Sequence, residues 1–264
     1  MIARAAAAVV VALLLAACAT THTAADQLRV VSWNIHHGRG LDGRVDVARI
    51  AAELRALAPD LVLLQEVDVG VRRSGGVDLA GALAAELAMH AAFEQNISFQ
   101  GGSYGNAVLS RWPVLEQHNL HYRMLRAGEQ RGLLTVAVAA PSGPLAIGCT
   151  HIDAGADDAE RMQNAPELLA VVEQRSLIAV GGDFNDLPGS RVHSALCSDL
   201  VDCWSEAGGG AGPSYPAASP QKRIDWLLRA PSCGWRAVAA RVVPTRASDH
   251  CPVVFELARL PRRR

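Results

Sequence analysis

Short apolar runs and stretches with helical spacing alternate along this chain, which predicts a mixed α/β fold. Compact apolar runs bounded by polar or turn-forming residues are typical of buried strands. Asp46 and Asp78 each precede a stretch with apolar residues at helical spacing, and an aspartate in that place can cap a helix. Strands are predicted over 28–35, 60–67, 91–97, 104–110, 114–121, 131–139, 144–150, 176–180, 223–228, 234–243 and 248–255, and helices over 46–57, 78–89 and about 159–172.

Polar side chains stand where several of these apolar strands end. Asn34 lies near the end of the first strand, Glu66 lies at the end of the second, and His151 follows the strand at 144–150. A carboxylate at the edge of so apolar a run is costly unless it is paired or bound to a metal. Each residue alone fits an ordinary strand end, but their repetition favours a site assembled from strand ends. The same pattern recurs at Asp225, Asp249 and His250.

The strand at 176–180 is followed by the densest polar stretch of this kind, Gly181–Asp186. Its two glycines are expected to let the backbone turn tightly before Asp183 and Asn185. Taken alone, the stretch fits an ordinary Asn/Asp turn. Together with the other strand ends, its oxygen ligands favour a hard cation, Mg²⁺ or Mn²⁺, over zinc, because no His/Cys cluster accompanies them.

Length and composition narrow the architecture further. The 264 residues, half of them hydrophobic, suffice for one large core or at most two domains. Several neighbouring strands are spaced as hairpins, which favours an α/β sandwich over a doubly wound parallel sheet. The net charge of -1 supplies no broad field that would attract nucleic acid or an anionic membrane.

Five cysteines follow the N-terminal region, and no C-x-x-C motif is present. A zinc ribbon or a thioredoxin-like redox site is therefore not expected. Cys197 and Cys203 are close enough in sequence to close a small loop, and they are the pair predicted to form a disulfide. The others are Cys149, Cys233 and Cys251.

The N-terminal residues are predicted to direct the chain out of the cytoplasm. The apolar run 5–17 follows one arginine, is too short to span a bilayer, and fits a signal-peptide core. It ends Leu15-Ala16-Ala17-Cys18, which resembles a bacterial lipoprotein signal with Cys18 as the lipidated residue; an ordinary secretory peptide is the alternative. The predicted divisions are 1–18 for the signal and its cysteine, 19–27 for a tether, and 28–260 for the folded domain.

Several short motifs occur in order along residues 28–258: Ser32-Trp33-Asn34-Ile35, Gln65-Glu66, Tyr104–Arg111, Thr150-His151, Gly182–Asn185, Arg223–Trp226 and Ser248-Asp249-His250. Together they resemble the endonuclease/exonuclease/phosphatase superfamily, which includes deoxyribonuclease I, apurinic-site endonucleases, bacterial sphingomyelinases and inositol-phosphate 5-phosphatases. The resemblance implies a four-layer α/β sandwich, in which two packed mixed sheets are flanked by helices. It also implies a site at one edge, between the sheets.

The resemblance further implies a metal-dependent phosphoester hydrolase and assigns roles residue by residue. Glu66 becomes the main ligand of Mg²⁺ or Mn²⁺, helped by Asn34 and Asp249. Asp225 orients His250, whose imidazole acts as general base on the attacking water.

Three further catalytic roles follow from the same resemblance. Asp183 positions or activates the water, and Asn185 donates to a phosphoryl oxygen. His151 matches a histidine of the nuclease and sphingomyelinase branches, where it protonates the leaving oxygen or stabilises the pentavalent state. These groups fit the chemistry, because the transition state gathers charge on its equatorial oxygens.

Three residues are expected to contact substrate. Asn106 either orients His151, touches phosphate or is structural. Arg131 matches a position that contacts substrate in some relatives. His36 stands where apurinic-site enzymes carry a second metal carboxylate, which puts two-metal chemistry in doubt. His36 and His37 could instead contact substrate or be plain loop histidines.

Three functions are compatible with these observations. The leading hypothesis is a monomeric, lipid-anchored phosphodiesterase of the bacterial cell envelope, acting on a lipid headgroup or another envelope phosphodiester. Because Ala19 is not acidic, the outer membrane or the periplasmic face is the expected location. The second is an extracytoplasmic endonuclease for DNA or RNA, which the near-neutral charge disfavours. The third is a non-catalytic binding lipoprotein, which the presence of all the expected acids and histidines disfavours.

Overall fold

Strands that are apolar on both faces need a covering layer on each side, and the chain meets this need with two stacked sheets. The computed structural model describes residues 26–261, and those residues contain two six-stranded sheets. The strands of the first sheet are β1 (Gln27–Asn34), β2 (Leu61–Val69), β3 (His90–Phe99), β4 (Gly102–Ser110), β11 (Trp235–Val242) and β12 (Val253–Arg259). They lie in the order β11-β12-β1-β2-β4-β3.

The second sheet is built in the same way. Its strands are β5 (Val114–His121), β6 (Gly132–Val138), β7 (Leu145–His151), β8 (Ala179–Asp183), β9 (Val201–Asp202) and β10 (Asp225–Arg229). They lie in the order β5-β6-β7-β8-β10-β9.

Each sheet has one parallel pair, β1 with β2 and β7 with β8, among antiparallel neighbours. Parallel strands send their carboxyl ends to the same edge. Asn34 and His151 end the first strand of each pair, and Asp183 ends β8. The two parallel pairs therefore bring the predicted site residues to one edge of the sandwich.

Helices cover both outer faces. They are α1 (Val47–Leu57), α2 (Leu79–Leu87), α3 (Ala159–Gln174) and α4 (Arg191–Leu196), whereas α5 (Cys203–Ala207) packs against the apolar cluster between the sheets. The first two pack on the first sheet around Trp33 and Leu64, while α3 and α4 pack on the second sheet around Val180 and Trp226. A third apolar cluster, which includes Leu63, lies between the sheets. The predicted four-layer α/β sandwich is confirmed.

Local signals located the helix starts correctly. Asp46 accepts a hydrogen bond from the backbone N–H of Arg49, and Asp78 accepts one from that of Gly81, each at 2.9 Å. Pro166 lies inside α3 without ending it, although a proline removes one helical hydrogen bond. The buried face of α3, which includes Leu168 and Val172, packs on the second sheet and holds the helix together.

Several boundaries and one bond differ from the prediction. The segment Ser248–His250 forms a loop ahead of β12 rather than the start of a strand. The disulfide between Cys197 and Cys203 is wrong, because both thiols are free. Cys203 is buried between the sheets, whereas Cys197 packs against the cluster beneath α3 and α4, so the two side chains occupy different layers.

The predicted signal, with Cys18 and nearly all of the tether, lies outside the described residues. β1 begins at Gln27, one residue before the predicted start of the domain. Within residues 26–261, no helix is both long and apolar enough to cross a membrane.

Candidate active site

Asn34 joins the two sheets at the edge where the predicted residues meet. Its Nδ2 donates to Glu66 Oε1 at 3.0 Å and to Asp183 Oδ2 at 3.1 Å. Its Oδ1 accepts the backbone N–H of His36 at 3.0 Å. The amide therefore holds three site elements in register, and its predicted part in metal binding stays a prediction.

Glu66 lies within β2 rather than at its end. The register between β2 and β4 shifts between Leu64 and Val67, which is a bulge, and Glu66 has a left-handed backbone with φ of 57°. A bulge adds a residue and re-aims its side chain. Here it turns Glu66 out of the alternation of the strand, and its side chain is 22% exposed.

The carboxylate of Glu66 is held in its charged form. Burial alone would raise the pKa of Glu66, but His37, His151 and Asn34 together hold that pKa well below its usual value. An ionised carboxylate is the form that binds a divalent cation.

Asp225 and His250 form a buried pair. His250 Nδ1 lies 3.0 Å from Asp225 Oδ2, which also accepts the hydroxyl of Ser214 at 2.6 Å. Burial alone would lower the pKa of His250, but the carboxylates of Asp225 and Asp183 raise it to about 10. This contact is compatible with the predicted role of Asp225 in orienting His250, which stays a prediction, and the raised pKa favours a charged imidazole at neutral pH.

Asp183 lies between two histidines. Its Oδ2 is 3.5 Å from His250 Nε2 and 3.5 Å from His151 Nε2. Burial raises the pKa of Asp183 to about 6, with Asp225 adding to the effect and His250 opposing it. A carboxylate whose pKa lies near neutrality is suited to exchange a proton.

His151 is fixed in one tautomer by Arg131. Arg131 Nη1 lies 3.0 Å from His151 Nδ1, and a guanidinium can only donate. Nδ1 is therefore the acceptor, and the proton of the neutral ring is on Nε2, which faces Asp183. Burial, and then the charge of Arg131, hold the pKa of His151 well below its usual value. Glu129 pairs with Arg131 at 2.7 Å.

Asn185 closes the turn after β8. Its backbone N–H donates to Asp183 Oδ1 at 3.0 Å, and its Nδ2 donates to the carbonyl of Ile152 at 3.2 Å. The same Nδ2 lies 3.1 Å from His151 Nε2, which is a contact between two donors and not a hydrogen bond when the ring proton is on Nε2. The amide is thus held beside Asp183 and His151, and its contact with a phosphoryl oxygen stays a prediction.

The two glycines before Asp183 lie within β8 and do not form the tight turn that was predicted. A Cβ on Gly182 would come 1.8 Å from the carbonyl oxygen of Thr150 in β7, and its φ is 148°. A Cβ on Gly181 would come 2.7 Å from Leu63 of the first sheet. The glycines let β8 approach both its parallel neighbour and the facing sheet.

The loop that carries Asp249 and His250 is tied to the end of β1. The hydroxyl of Ser248 donates to the carbonyl of Asn34 at 2.7 Å, and Trp33 Nε1 donates to the carbonyl of His250 at 2.9 Å. These two bonds explain why Trp33 and Ser248 belong to the site motifs although neither side chain carries chemistry.

A second cluster surrounds Glu66. His37 Nδ1 lies 4.0 Å from Glu66 Oε2, and His36 Nδ1 lies 3.6 Å from Asp249 Oδ1. His37 Nδ1 is buried without a hydrogen-bond partner. An orphaned ring nitrogen beside an ionised carboxylate fits a divalent cation, so the residues present are compatible with a metal. Two groups of described residues could hold one: His36 with His37 and Glu66, and Asp183 with Asp225 and His250.

Asn106 is 1% exposed and acts between the sheets. Its Nδ2 donates to the carbonyl of Gly132 in β6 at 3.1 Å and lies 3.5 Å from that of Cys149 in β7. This is the structural role that the sequence left open. The contact of Asn106 with substrate stays a prediction.

Ser214 and Tyr215, which lie in the loop 208–220, were not among the residues predicted for the site. The backbone N–H groups of both donate to the carbonyl of Lys222. The ring of Tyr215 lies 4.6 Å from that of His250, and Ser214 bonds Asp225. A lone aromatic residue among glycines and prolines was the available signal.

Comparisons with known proteins agree with this geometry. A family model described as Endonuclease/Exonuclease/phosphatase family matches residues 31–250. The chain therefore belongs to the endonuclease/exonuclease/phosphatase family, and it is a metal-dependent hydrolase that acts on phosphoester bonds.

Individual relatives share only limited sequence identity with this chain. The Escherichia coli (strain K12) protein YbhP, described as uncharacterized, is 26% identical over an aligned length of 245 residues, and the match covers 87% of this chain and 95% of YbhP. An endonuclease/exonuclease/phosphatase from Beutenbergia cavernae has a TM-score of 0.72 and 28% identity, and the match covers 89% of this chain and 72% of that one. A mannosyl-6-phosphatase from Bacteroides thetaiotaomicron has a TM-score of 0.69 and 16% identity, with coverage of 88% and 99%. At that identity the likeness shows the fold alone.

Proposed function

We propose that the protein is a metal-dependent phosphodiesterase that acts on a lipid headgroup or another phosphodiester of the bacterial envelope. The observation that carries the proposal is the position of Asp183, whose Oδ2 lies 3.5 Å from both His250 Nε2 and His151 Nε2. An in-line displacement needs a proton acceptor for the water and a donor for the leaving oxygen. Asp183 itself can serve as the acceptor for the water, and the adjacent His151 can serve the leaving oxygen.

Asp183 accepts the proton of the attacking water in this proposal. Its pKa of about 6 leaves the carboxylate mostly ionised at neutral pH and still able to take a proton. His250, whose pKa is raised to about 10, is then an imidazolium that stabilises the charge on the equatorial oxygens. This assignment exchanges the base role first expected of His250 for electrostatic stabilisation, with Asp225 keeping the ring oriented.

His151 serves the leaving oxygen. Arg131 occupies Nδ1, so the Nε2 proton is the one available to a substrate atom. The depressed pKa of His151 favours a neutral ring that donates a hydrogen bond as charge develops. Asn185, whose Nδ2 lies 3.1 Å from His151 Nε2, donates to a phosphoryl oxygen on the same side of Asp183.

Glu66 and Asp249, helped by Asn34, would hold the Mg²⁺ or Mn²⁺ ion. When bound, such an ion polarises the phosphoryl group and offsets its negative charge. Glu66 is kept ionised for this purpose by its neighbours.

The proposed location rests on the sequence. The resemblance of Leu15-Ala16-Ala17-Cys18 to a lipoprotein signal supports a lipid anchor at Cys18, facing the periplasm or in the outer membrane. An anchored monomer would keep its site near lipid headgroups. The net charge of -1 supports this class of substrate over DNA or RNA.

A substrate panel tests the proposal. Sphingomyelin, plasmid DNA and inositol phosphates are incubated with the enzyme, with and without Mg²⁺, and with an Asp183→Asn variant as the inactive control. Release of a phosphorylated headgroup by the wild type alone is expected. Rapid nicking of DNA without headgroup release would favour the endonuclease alternative. Mass spectrometry of the mature N-terminus tests the anchor, and an unmodified start at Ala19 or Thr20 would contradict it.

A further inference from the structure

Backbone strain is concentrated beside Glu66. His36 and His37 are consecutive and both left-handed, with φ of 45° and 46°, and Glu66 has φ of 57°. Such conformations cost on the order of 1–3 kcal/mol each in residues with a side chain and are retained where function needs them. The other left-handed non-glycine residues in the described chain are Ala58 and Ala88 at helix ends, Gln100 in the β3–β4 turn, Ser176 ahead of β8, and Asn185 in the site.

The strain aims two imidazoles at the carboxylates. The side chain of His37 is 8% exposed, and its Nδ1 has no hydrogen-bond partner. It faces Glu66 Oε2 across 4.0 Å, which is too long for a hydrogen bond. A cation with ligand distances of about 2.0–2.2 Å can bridge two atoms separated in this way.

His36 completes the same cluster. Its ring lies edge-on to that of His37 with centroids 4.5 Å apart, and its Nδ1 is 3.6 Å from Asp249 Oδ1. His36, His37 and Glu66 each offer one ligand atom, and these atoms all lie within 4.8 Å of one another. Two imidazole nitrogens and the Glu66 carboxylate therefore form one compact group, and Asp249 adjoins it through its contact with His36.

We propose that His36 and His37 bind the divalent cation together with Glu66 and Asp249, so that its coordination shell contains imidazole nitrogen. Imidazole suits transition metals, whereas Mg²⁺ prefers a shell of oxygen atoms. We therefore expect the cluster to bind Zn²⁺ more tightly than Mn²⁺ and to discriminate against Mg²⁺. This role replaces the substrate contact expected for His36. The inference concerns metal binding alone, so it stands or falls independently of the substrate.

Mn²⁺ bound to the purified full-length protein provides a direct spectroscopic test. Electron spin-echo spectroscopy of the Mn²⁺ complex should show coupling to histidine ¹⁴N, and protein labelled with ¹⁵N-histidine should show the corresponding ¹⁵N coupling. No variant is needed for this measurement, so a folding defect cannot obscure it. Absence of nitrogen coupling in the wild-type complex would overturn the proposal.

Variants then assign the nitrogens. His36→Asn and His37→Asn keep a residue that tolerates the left-handed backbone. Each should weaken Mn²⁺ and Zn²⁺ binding at least about tenfold in calorimetry, with Mg²⁺ affinity changed much less. His118→Asn, on the exposed face of β5, is the matched control. Unchanged Mn²⁺ and Zn²⁺ affinities in variants that melt like the wild type would contradict the assignment, whatever the hydrolytic activity.

Discussion

The two βαβ units of this protein, β1-α1-β2 and β7-α3-β8, occupy equivalent places in the two sheets but prepare different chemistry. Each supplies the parallel pair of its sheet and ends in polar side chains. In the first unit the backbone is distorted at Glu66, and the carboxylate faces imidazoles across gaps that suit a cation. In the second, Gly181 and Gly182 carry no side chain that would collide with the neighbouring strands, so Asp183 can lie close to His250 and Asp225, which shift its pKa. In the function proposed above, the first unit holds the metal and the second moves a proton.

The largest expected effect comes from the proton-handling unit. Asp183→Asn keeps the shape of the side chain and removes the base, and His250→Asn removes the imidazolium. Each should lower kcat/KM for bis(p-nitrophenyl) phosphate by about 10²–10⁴. Asp199→Asn, at an exposed site, is the control. Excess metal should not restore activity, and activity near the wild-type value in either variant would refute the assignment.

The metal-holding unit should respond differently. Glu66→Gln removes the negative charge that attracts the cation, and kcat/KM should fall about 10–100-fold at limiting metal. Unlike Asp183→Asn, this variant should recover part of its activity as the metal concentration rises. If both variants respond to added metal in the same way, the division of labour between the two units is wrong.

A smaller effect is expected at Arg131. Arg131→Met removes the donor that fixes the tautomer of His151 and the charge that helps to depress its pKa. The pKa of His151 should rise in ¹⁵N NMR titration, and kcat should fall about tenfold. Arg191→Met, whose guanidinium is largely exposed, is the control. An unchanged His151 titration would contradict the positioning role.

The smallest expected effect is on the free energy of unfolding and comes from His193 in α4, which packs on the second sheet. Asp202, and then Cys197, raise the pKa of His193 to about 9. Because this folded value exceeds the unfolded one, the protonated ring stabilises the fold below about pH 6.5. The contribution is lost as the pH rises through about 9.

Urea unfolding at pH 6 and pH 9.5 measures this contribution. After allowance for solvent screening, the free energy of unfolding of the wild type should fall by about 1 kcal/mol more than that of His193→Gln between pH 6 and pH 9.5. Equal losses in the two proteins would show that His193 does not contribute.

The sequence predicted the parts of the fold that local patterns determine. Apolar runs located the strands, and Asp46 and Asp78 located two helix starts, because a cap depends on neighbours in sequence. The strand ends also brought the predicted acids and histidines to one edge. Their convergence could be anticipated because parallel strands share an edge.

Features that depend on tertiary contacts were not predictable in this way. The bulge at Glu66 is a register shift against β4, which the sequence of β2 alone does not encode. Cys197 and Cys203 are close in sequence but pack in different layers. The contacts of Ser214 with Asp225 and of Tyr215 with His250 depend on how their loop folds back.

The amide of Asn34 has a thermodynamic consequence. One NH₂ group donates both to Glu66 and to Asp183, so the energy of each carboxylate depends on the state of the other. Such a dependence is reciprocal by necessity. If protonation of Asp183 lowers the affinity of Glu66 for the cation by a certain factor, cation binding lowers the affinity of Asp183 for its proton by the same factor. Cation binding at Glu66 therefore lowers the pKa of Asp183, so metal binding in the first unit and proton binding in the second are thermodynamically coupled.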